Sequence, residues 1–244
     1  MKIGIISDIH SNLEAFEVSL SYLEKNKVDK ILICGDIIGY GPNPKECINL
    51  SNKIGASILR GNHEQGIIEN DFSRFKQYAK ITIEWTVKEI GQQVEEIKKW
   101  KDKEVFGDFW VVHASISDLF YKYIIKIEDT KEEFEKLENK ICFIGHTHIP
   151  CVFKKNIETG ETEKILADFS GKIDLKLEDK FKYIINVGSV GFPRDGLPFP
   201  CIGIYYYDEK FFKLDRLEYN FEKTLKKVIE KGLPSKIGSF LKGF

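Results

Sequence analysis

The sequence predicts an α/β (α+β) fold with two packed, mixed β-sheets and helices on their outer sides. Its first half alternates short apolar runs with amphipathic stretches, which is typical of βαβ units. Its second half contains two pairs of strand-like runs on either side of short polar turns, which is typical of antiparallel hairpins. A βαβ half followed by an antiparallel half fits two sheets stacked on each other, because each sheet then buries one face against the other.

Five apolar runs predict strands that each lead into a polar motif. The runs are residues 3–6, 31–33, 56–59, 109–112 and 141–144. They are followed in turn by Asp8-Ile9-His10, Gly35-Asp36, Arg60-Gly61-Asn62-His63-Glu64, His113 and Gly145-His146-Thr147-His148. Because ligands bind at the carboxyl ends of strands in α/β sheets, we expect these motifs to converge. Convergence would gather two Asp, one Asn and all five His of the chain.

Three helices are predicted by their start signals. Ser11-Asn12-Leu13-Glu14 has the pattern of a capping box at the start of the first helix. Pro44 marks the first turn of a second helix. Thr130 precedes a third helix, whose spacing turns Phe134 and Leu137 inward.

Residues 65–105 lack a strand pattern and form a predicted helical, cap-like insert. Apolar and aromatic residues recur there at helical spacing and predict two helices. The segment leaves directly from the Asn62-His63 pair, so it begins at the rim of the predicted site, where it could restrict the size of a substrate. The same pattern fits two ordinary core-packing helices equally well.

The remaining sequence predicts hairpins at residues 152–166 and 201–219 and a strand at 183–187. A basic amphipathic helix at 222–244 is interrupted at Gly232-Leu233-Pro234. It would pack on the body of the protein or on a second subunit. We therefore predict one domain, residues 1–244, with an insert at 65–105 and a helical tail at 220–244.

The composition is that of a globular protein with balanced charge. Of the 244 residues, 42% are hydrophobic, which is enough for a substantial core. A net charge of −1 argues against a nucleic-acid partner. The five Cys include no Cys-x-x-Cys pair, which argues against a disulfide framework. No signal peptide and no apolar run near the ~20 residues of a membrane span are seen, so we expect a cytoplasmic monomer or homodimer without a membrane partner.

The residue types of the five motifs indicate a transition-metal site. Imidazole combined with carboxylate and carboxamide oxygen suits Mn, Fe, Co, Ni or Zn better than Ca or Mg. Eight polar groups exceed the four to six ligands that one ion needs, whereas two ions that share a carboxylate use them economically. Two-metal centres are known for hydrolysing phosphate esters, in which both the attacking and the leaving oxygen must be stabilised.

In this order, the five motifs resemble the signature of the calcineurin-like metallophosphoesterases. Further segments resemble a prokaryotic branch described as YfcE-like or diadenosine-tetraphosphatase-like phosphoesterases. These segments are Gly39-Tyr40-Gly41-Pro42-Asn43-Pro44, Asn186-Val187-Gly188-Ser189-Val190-Gly191, Pro193-Arg194-Asp195-Gly196 and Gly232-Leu233-Pro234. The resemblance covers nearly the whole chain. It implies a four-layer αββα sandwich with a dinuclear metal centre.

The resemblance also implies separate roles for the site residues. One ion would be held by Asp8, His10, Asp36 and His148, and the other by Asp36, Asn62, His113 and His146, with Asp36 as the bridge. His63 would face the substrate, as proton donor to the leaving oxygen or as stabiliser of phosphoryl charge. The expected cofactors are two divalent transition-metal ions per chain, with Mn favoured and Fe, Co, Ni or Zn as alternatives.

Two arginines are candidate substrate-binding residues, because a guanidinium offers phosphate a fork of donors. Arg60 lies beside the Asn-His pair, although an Arg at a strand end often serves as a structural ion-pair partner. Arg194 lies in the Pro-Arg-Asp-Gly loop. Glu64 is expected either to orient a ligand imidazole or to cap a helix.

The expected function is hydrolysis of small phosphomonoesters, phosphodiesters or nucleotides by in-line attack of a metal-bridging hydroxide. A nuclease or protein phosphatase with the same centre is one alternative, and a non-catalytic metal-binding scaffold is another. The near-zero net charge argues against a nuclease. A cap would block the open groove that a protein phosphatase needs, and a scaffold would have no use for His63.

Overall fold

The structure, a computed structural model that describes residues 1–242, contains two six-stranded sheets. The first has the spatial order β3 (Ser57–Ile58), β2 (Lys30–Ile33), β1 (Lys2–Ile6), β11 (Cys201–Tyr206), β12 (Phe211–Arg216) and β9 (Ile173–Lys176). The second has the order β4 (Lys103–Phe106), β5 (Phe109–Val112), β6 (Ile141–Ile144), β10 (Phe181–Asn186), β7 (Cys151–Asn156) and β8 (Thr162–Leu166). Both sheets mix parallel and antiparallel pairs, as predicted.

Helices cover the outer face of each sheet. The helices are α1 (Leu13–Lys25), α2 (Pro44–Lys53), α3 (Asn62–Glu69), α4 (Gln77–Ile90), α5 (Val94–Ile97), α6 (Lys131–Lys136), α7 (Phe221–Glu230) and α8 (Ser235–Leu241). Apolar residues of α1 and α2 pack on the first sheet, and those of α6 pack on the second. The layers therefore follow the order α, β, β, α, which confirms the predicted four-layer sandwich.

An apolar core fills the space between the sheets. Successive side chains of a strand point to opposite faces, so Ile3 and Ile5 of β1 enter this core whereas Ile6 packs with α1. Four rings of this core, Phe109, Phe143, Tyr205 and Phe212, are fully buried. Phe143 contacts the other three at ring-centroid distances of 5.4 to 5.6 Å. This packing fixes the strand ends from which the polar motifs depart.

The predicted strands are confirmed to within a few residues, but two strands are not expected from the sequence. β4 and β9 each lie at the edge of a sheet. Both alternate charged with apolar residues, Lys103-Glu104-Val105-Phe106 and Ile173-Asp174-Leu175-Lys176. Because an edge strand buries little, it lacks the continuous apolar run by which the other strands were predicted.

The start of α1 differs from the predicted capping box. Asn12, not Ser11, is the N-cap, and its side chain accepts from the backbone N–H of Ala15 at 3.2 Å. Glu14 points away from the cap and pairs with the tail of the chain. The predicted starts of the other two helices are confirmed, with Pro44 in the first turn of α2. Phe134 and Leu137 are buried, as expected.

The insert contains one helix more than the two predicted. α3 begins at Asn62, so the polar motif itself forms the first helical turn. α4 follows and buries Ala79, Ile83 and Ile90 against the body, as a core-packing helix does. A 3-10 turn (Gly91–Gln93) leads into α5.

The helical tail packs on the body of the chain. The Glu14 carboxylate accepts from Lys227 Nζ at 2.6 Å and from Thr224 Oγ1 at 2.9 Å. Ile237 and Leu241 of α8 are buried in a cluster that also contains Tyr40 and Ala79. The break between α7 and α8 falls at Gly232-Leu233-Pro234, as predicted. The last two residues of the predicted tail, 243 and 244, lie outside the described residues.

None of the helices within residues 1–242 is both long and apolar enough to cross a membrane.

We expect Glu14→Gln to destabilise the fold by about 1–3 kcal/mol near neutral pH, because Lys227 and Thr224 lose a charged acceptor. Burial alone would raise the pKa of Glu14, but the hydrogen bonds from Lys227 and Thr224 outweigh it, and the pKa is lowered below 4.5. This stabilisation is therefore present above the ordinary pKa of a Glu and is lost as the pH falls through the lowered value. Urea unfolding at neutral and acidic pH measures it.

The control for this experiment is Glu17→Gln, since Glu17 is exposed on the same helix. An equal loss of stability in both variants, or a loss in Glu14→Gln that persists at low pH, would contradict the assignment.

Candidate metal centre

The structure brings together all seven predicted ligands and His63. Asp8 and His10 follow β1, Asp36 follows β2, and Asn62 and His63 lie in the first turn of α3. The other three are His113 after β5 and His146 and His148 after β6. All eight side chains are buried. The predicted convergence at the strand ends is therefore present.

Five of these residues have left-handed backbone. The φ angles of Asp8, His10, Asp36, His146 and His148 lie between 48° and 64°. Non-glycine residues seldom adopt this conformation, which costs on the order of 1–3 kcal/mol each. The loops thus turn sharply at the residues whose side chains converge. Such strain is found mainly at functional sites, where the surrounding structure holds it in place.

Glycines at two positions allow the carboxylates to approach other loops closely. A Cβ at Gly61 would collide with Asp36 Oδ1, and a Cβ at Gly145 would collide with Asp8 Oδ2. These carboxylate oxygens instead accept from backbone N–H groups, Asp36 Oδ1 from His63 and Asp8 Oδ2 from His146, both at 2.9 Å.

The ligand-type atoms of Asp and His in this set form three overlapping groups, and the atoms of each group lie within 4.8 Å of one another. Together with Asn62, these residues are called the cluster below. In one group, His148 Nε2 and His10 Nε2 lie 3.2 Å and 3.7 Å from Asp8 Oδ1. Asp36 Oδ2 lies 3.6 Å from His10 Nε2 and 3.5 Å from His113 Nε2. Asp36 is therefore positioned between the two ends of the cluster, as a bridging ligand would be.

Backbone carbonyls hold four of the histidine rings in one orientation. His10, His113 and His148 each place Nδ1 against a carbonyl, of Ile38 at 3.1 Å, Cys34 at 2.8 Å and Phe192 at 2.5 Å. His146 places Nε2 3.3 Å from the carbonyl of Tyr121. A carbonyl only accepts, so the nitrogen that faces it carries the ring proton. The opposite nitrogen of each neutral ring then presents a lone pair.

These lone pairs face one another across short distances. His10 Nε2 lies 3.1 Å from His148 Nε2, and His146 Nδ1 lies 3.2 Å from His113 Nε2. His113 Nε2 is also 3.0 Å from Asn62 Oδ1, a further acceptor. Facing acceptors repel unless a cation lies among them. The arrangement fits bound metal, in which neutral imidazoles donate their lone pairs and second ring nitrogens are held by hydrogen bonds.

The electrostatics of the site also favour a cation. Burial lowers the pKa of each of the four rings, which keeps them neutral. Burial, together with the charges of Glu64 and Asp8, raises the pKa of Asp36. Asp8 Oδ1 is buried without a hydrogen-bond partner. Closely spaced buried carboxylates of this kind need positive charge nearby.

Glu64 caps a helix and orders a loop, and it does not contact a ligand imidazole. Its carboxylate accepts from the backbone N–H groups of Gly61 at 2.7 Å, Asp36 at 3.0 Å and Ile38 at 3.1 Å. Of the two expected roles, capping is right and the orientation of an imidazole is wrong. Glu64 instead fixes the backbone of the loop that carries Asp36.

His63 differs from the other four histidines. Its Nε2 lies 3.9 Å from Asp36 Oδ2, within the cluster. Its Nδ1 is buried and has no hydrogen-bond partner in the described structure, so no carbonyl fixes its tautomer. The ring is packed edge-on against Tyr40, Phe75 and His10 at centroid distances of 4.7 to 5.1 Å.

The two candidate arginines lie in different surroundings. Arg60 forms an ion pair with Asp102 and is not among the residues that line the cavity above the cluster. This placement favours the ion-pair role that was the alternative expected for an Arg at a strand end, and a role of Arg60 in substrate binding stays a prediction. Arg194 does line the cavity, where it donates to the Tyr40 hydroxyl at 3.3 Å.

A cavity of about 540 Å³ lies above the cluster. Its lining includes two residues of the cluster, Asn62 and His146. Its walls contain the aromatic residues Tyr40, Phe75, Tyr78, Tyr121 and Tyr123 and the cations Arg74, Lys76 and Arg194. Residues 74–79 come from the insert, so this segment both packs in the core and borders the site.

Sequence reasoning missed several residues of the cavity. Tyr40 lies in a glycine-rich segment that was linked to the family but not to the site. Tyr121 and Tyr123 lie in an irregular loop after His113, and Arg74 lies in the loop before α4. Arg74 lies over the ring of Tyr121 at 4.5 Å. No periodic pattern marks these loops, and the aromatic spacing around Phe75 and Tyr78 was the one available signal.

Comparisons with known proteins agree with the fold and the site. The family model of the calcineurin-like phosphoesterase superfamily domain matches residues 1–210. An uncharacterized protein of Methanocaldococcus jannaschii is 37% identical over 254 aligned positions, which cover 98% of this chain and 96% of that protein. A metallophosphoesterase from Sphaerobacter thermophilus has a structure with a TM-score of 0.86 and 30% identity, covering all of both chains.

A hypothetical protein of Pyrococcus horikoshii has a TM-score of 0.80 at 16% identity, covering 98% of this chain and 97% of that one. At this identity the likeness concerns the fold alone.

Fold and site together define a phosphoesterase domain with a buried group of metal-ligand side chains. The chain belongs to the calcineurin-like phosphoesterase superfamily, a family of hydrolases that bind divalent metals. The predicted family is confirmed.

We expect Glu64→Gln to weaken metal binding roughly 10- to 100-fold, because an amide cannot accept from three backbone N–H groups and the Asp36 loop shifts. The same change should destabilise the fold by about 1–3 kcal/mol. Calorimetric titration with Mn²⁺ and thermal unfolding measure the two effects. Glu69→Gln, at an exposed position of the same helix, is the control. Wild-type metal affinity in Glu64→Gln would show that the loop does not depend on this carboxylate.

Proposed function

We propose that this protein hydrolyses small phosphomonoesters, phosphodiesters or nucleotides with two divalent transition-metal ions. Asp8, His10, Asp36 and His148 would hold one ion, and Asp36, Asn62, His113 and His146 the other. Manganese is favoured, with Fe, Co, Ni or Zn as alternatives. The observation that carries the proposal is the set of four carbonyl-held imidazoles whose lone pairs converge on buried carboxylates.

The residues around the cluster are suited to phosphoryl transfer. When bound, the ions would supply charge neutralisation of the phosphoryl group and a lower pKa of water. In the reaction, a water oxygen bonds to phosphorus as the bond to the leaving oxygen breaks in line, and the alcohol departs with a proton. Arg194, in the cavity wall, offers a guanidinium to the phosphoryl oxygens. His63 is not among the cavity-lining residues, but its ring contacts Tyr40, which is one of them, and it would offer a ring N–H to the leaving oxygen or to the phosphoryl group.

The cavity favours a small substrate over a macromolecule. Residues 74–79 and 121–123 border the space above the cluster, which leaves about 540 Å³. This volume is in the range of pockets for small ligands. Activity measurements would distinguish this function from two alternatives. These are a protein phosphatase or nuclease with the same centre, and a scaffold without turnover. A cytoplasmic location and a monomeric or dimeric state stay predictions.

We expect His63→Ala to retain both ions and to lower turnover by roughly 10²- to 10⁴-fold, the usual loss for a group that moves or donates a proton. The measurement is hydrolysis of p-nitrophenyl phosphate and bis-p-nitrophenyl phosphate after stripping and reloading with Mn²⁺, with metal content determined in parallel. Which ester is preferred separates monoesterase from diesterase activity. Loss of metal in His63→Ala would instead make His63 a ligand.

We expect Asp36→Asn to lower the content of both ions, because the bridging position loses its charge while the shape is kept. Metal analysis of the purified variant, reloaded as for the wild type, measures the content. Retention of two ions per chain would contradict a bridging role for Asp36, and retention of one would place Asp36 in a single site.

A further inference from the structure

An aromatic wall connects the C-terminal helix to the proposed catalytic site. Phe240 of α8 contacts Tyr78 of α4 at a ring-centroid distance of 5.7 Å. Tyr78 stacks on Tyr40 at 6.0 Å with an interplanar angle of 26°. Tyr40 in turn contacts His63 at 4.7 Å and His10 at 4.5 Å. Tyr78 thus lies between the tail and Tyr40, the residue whose ring contacts two histidines of the site.

The tail is firmly packed where it supports this wall. Val228, Leu233, Ile237 and Leu241 are buried in one cluster with Tyr40, Ala79 and Phe192. Phe75, Tyr78 and Phe240 pack on the same cluster. The family model ends at residue 210, so α7 and α8 lie beyond the part of the chain that it matches. The support of Tyr78 therefore comes from helices outside the residues that the family model matches.

Tyr78 is half-buried and belongs both to this cluster and to the cavity lining. The cavity is far larger than a phosphoryl group, so it has room for a substrate that extends from the cluster along its walls. Those walls contain five aromatic side chains. Aromatic walls favour a flat ring, because rings gain from stacked or edge-on contact beyond the burial of their area.

We infer that the preferred substrate has a flat aromatic group on the leaving side of its scissile phosphate, and that Tyr78 binds this group. Phe240 is a positioning residue that holds the Tyr78 ring against the cavity. The inference rests on the proposed phosphoesterase function and adds the chemistry of the leaving group. It makes the C-terminal tail a determinant of substrate specificity.

The test compares an aryl ester, p-nitrophenyl phosphate, with an aliphatic ester, glycerol 2-phosphate, on the Mn²⁺-reloaded protein. The variants are Tyr78→Leu, which removes the ring and keeps an apolar side chain, and Phe240→Ala. We expect each to raise KM for the aryl ester about three- to tenfold relative to KM for the aliphatic ester. The intrinsic reactivity of each ester is the same in all variants, so the ratio reports binding.

Two further variants separate positioning from general loss of stability. Phe240→Tyr keeps the ring and should restore the wild-type ratio. Ile229→Ala removes an exposed apolar side chain of α7, 70% accessible, and should leave the ratio unchanged. Metal content is measured in every variant, because a loosened fold would lower the metal content and thereby the turnover of both esters alike.

Equal effects of Tyr78→Leu and Phe240→Ala on both esters, or no effect, would overturn the inference while leaving the phosphoesterase function intact. A change with Tyr78→Leu alone would overturn the role of Phe240. Absence of metal-dependent turnover of both esters in the wild type would contradict the proposed function, and the inference with it.

Discussion

Four backbone carbonyls determine the chemistry of this protein. Each accepts the proton of one histidine ring and thereby turns the opposite nitrogen, with its lone pair, toward the centre of the cluster. The carbonyls belong to Cys34, Ile38, Tyr121 and Phe192, which lie in three separate parts of the chain. The histidine rings therefore have the correct orientation only when several loops are in place at once. Most of the surrounding structure serves to hold those loops.

The sandwich supplies the rigidity that such a site needs. Strands of both sheets end at the cluster, β1 and β2 from one sheet and β5 and β6 from the other. The ligands therefore depend on the packing between the sheets as well as on each loop. Left-handed backbone at five site residues is strained and persists because the strands on either side are fixed. Glu64 accepts three hydrogen bonds, and the two from the backbone N–H groups of Asp36 and Ile38 order the Asp36 loop.

Much of the site could be predicted because its residues follow strongly apolar strands. Asp8, Asp36 and His113 come directly after buried runs, and buried runs are the clearest signal in a sequence. An ion-pair role was one of the two expected for Arg60, but its partner could not be predicted, because Asp102 lies 42 residues away and only the fold brings them together. The predicted capping box at Ser11 was wrong for a similar reason, since the Glu14 carboxylate accepts a hydrogen bond from Lys227 in the tail. Contacts of this kind depend on tertiary structure that a local pattern does not contain.

The cavity walls were the least predictable part, because they are built from irregular loops and from a distant helix. Tyr121 and Tyr123 lie in a loop without periodicity, and Phe240 reaches the wall from the far end of the chain. The family resemblance named side chains that the structure brings together at the strand ends, whereas it named no substrate and so gave no signal for the residues of the walls.

We propose that two ions lie in this cluster, one at each end of Asp36. Anomalous diffraction from crystals loaded with Mn²⁺ tests it most directly, because it locates the metal without reference to activity. We expect two peaks roughly 3.5–4 Å apart. One would lie among Asp8, His10, Asp36 and His148, and the other among Asp36, Asn62, His113 and His146. A single peak, or a peak ligated by His63, would contradict it.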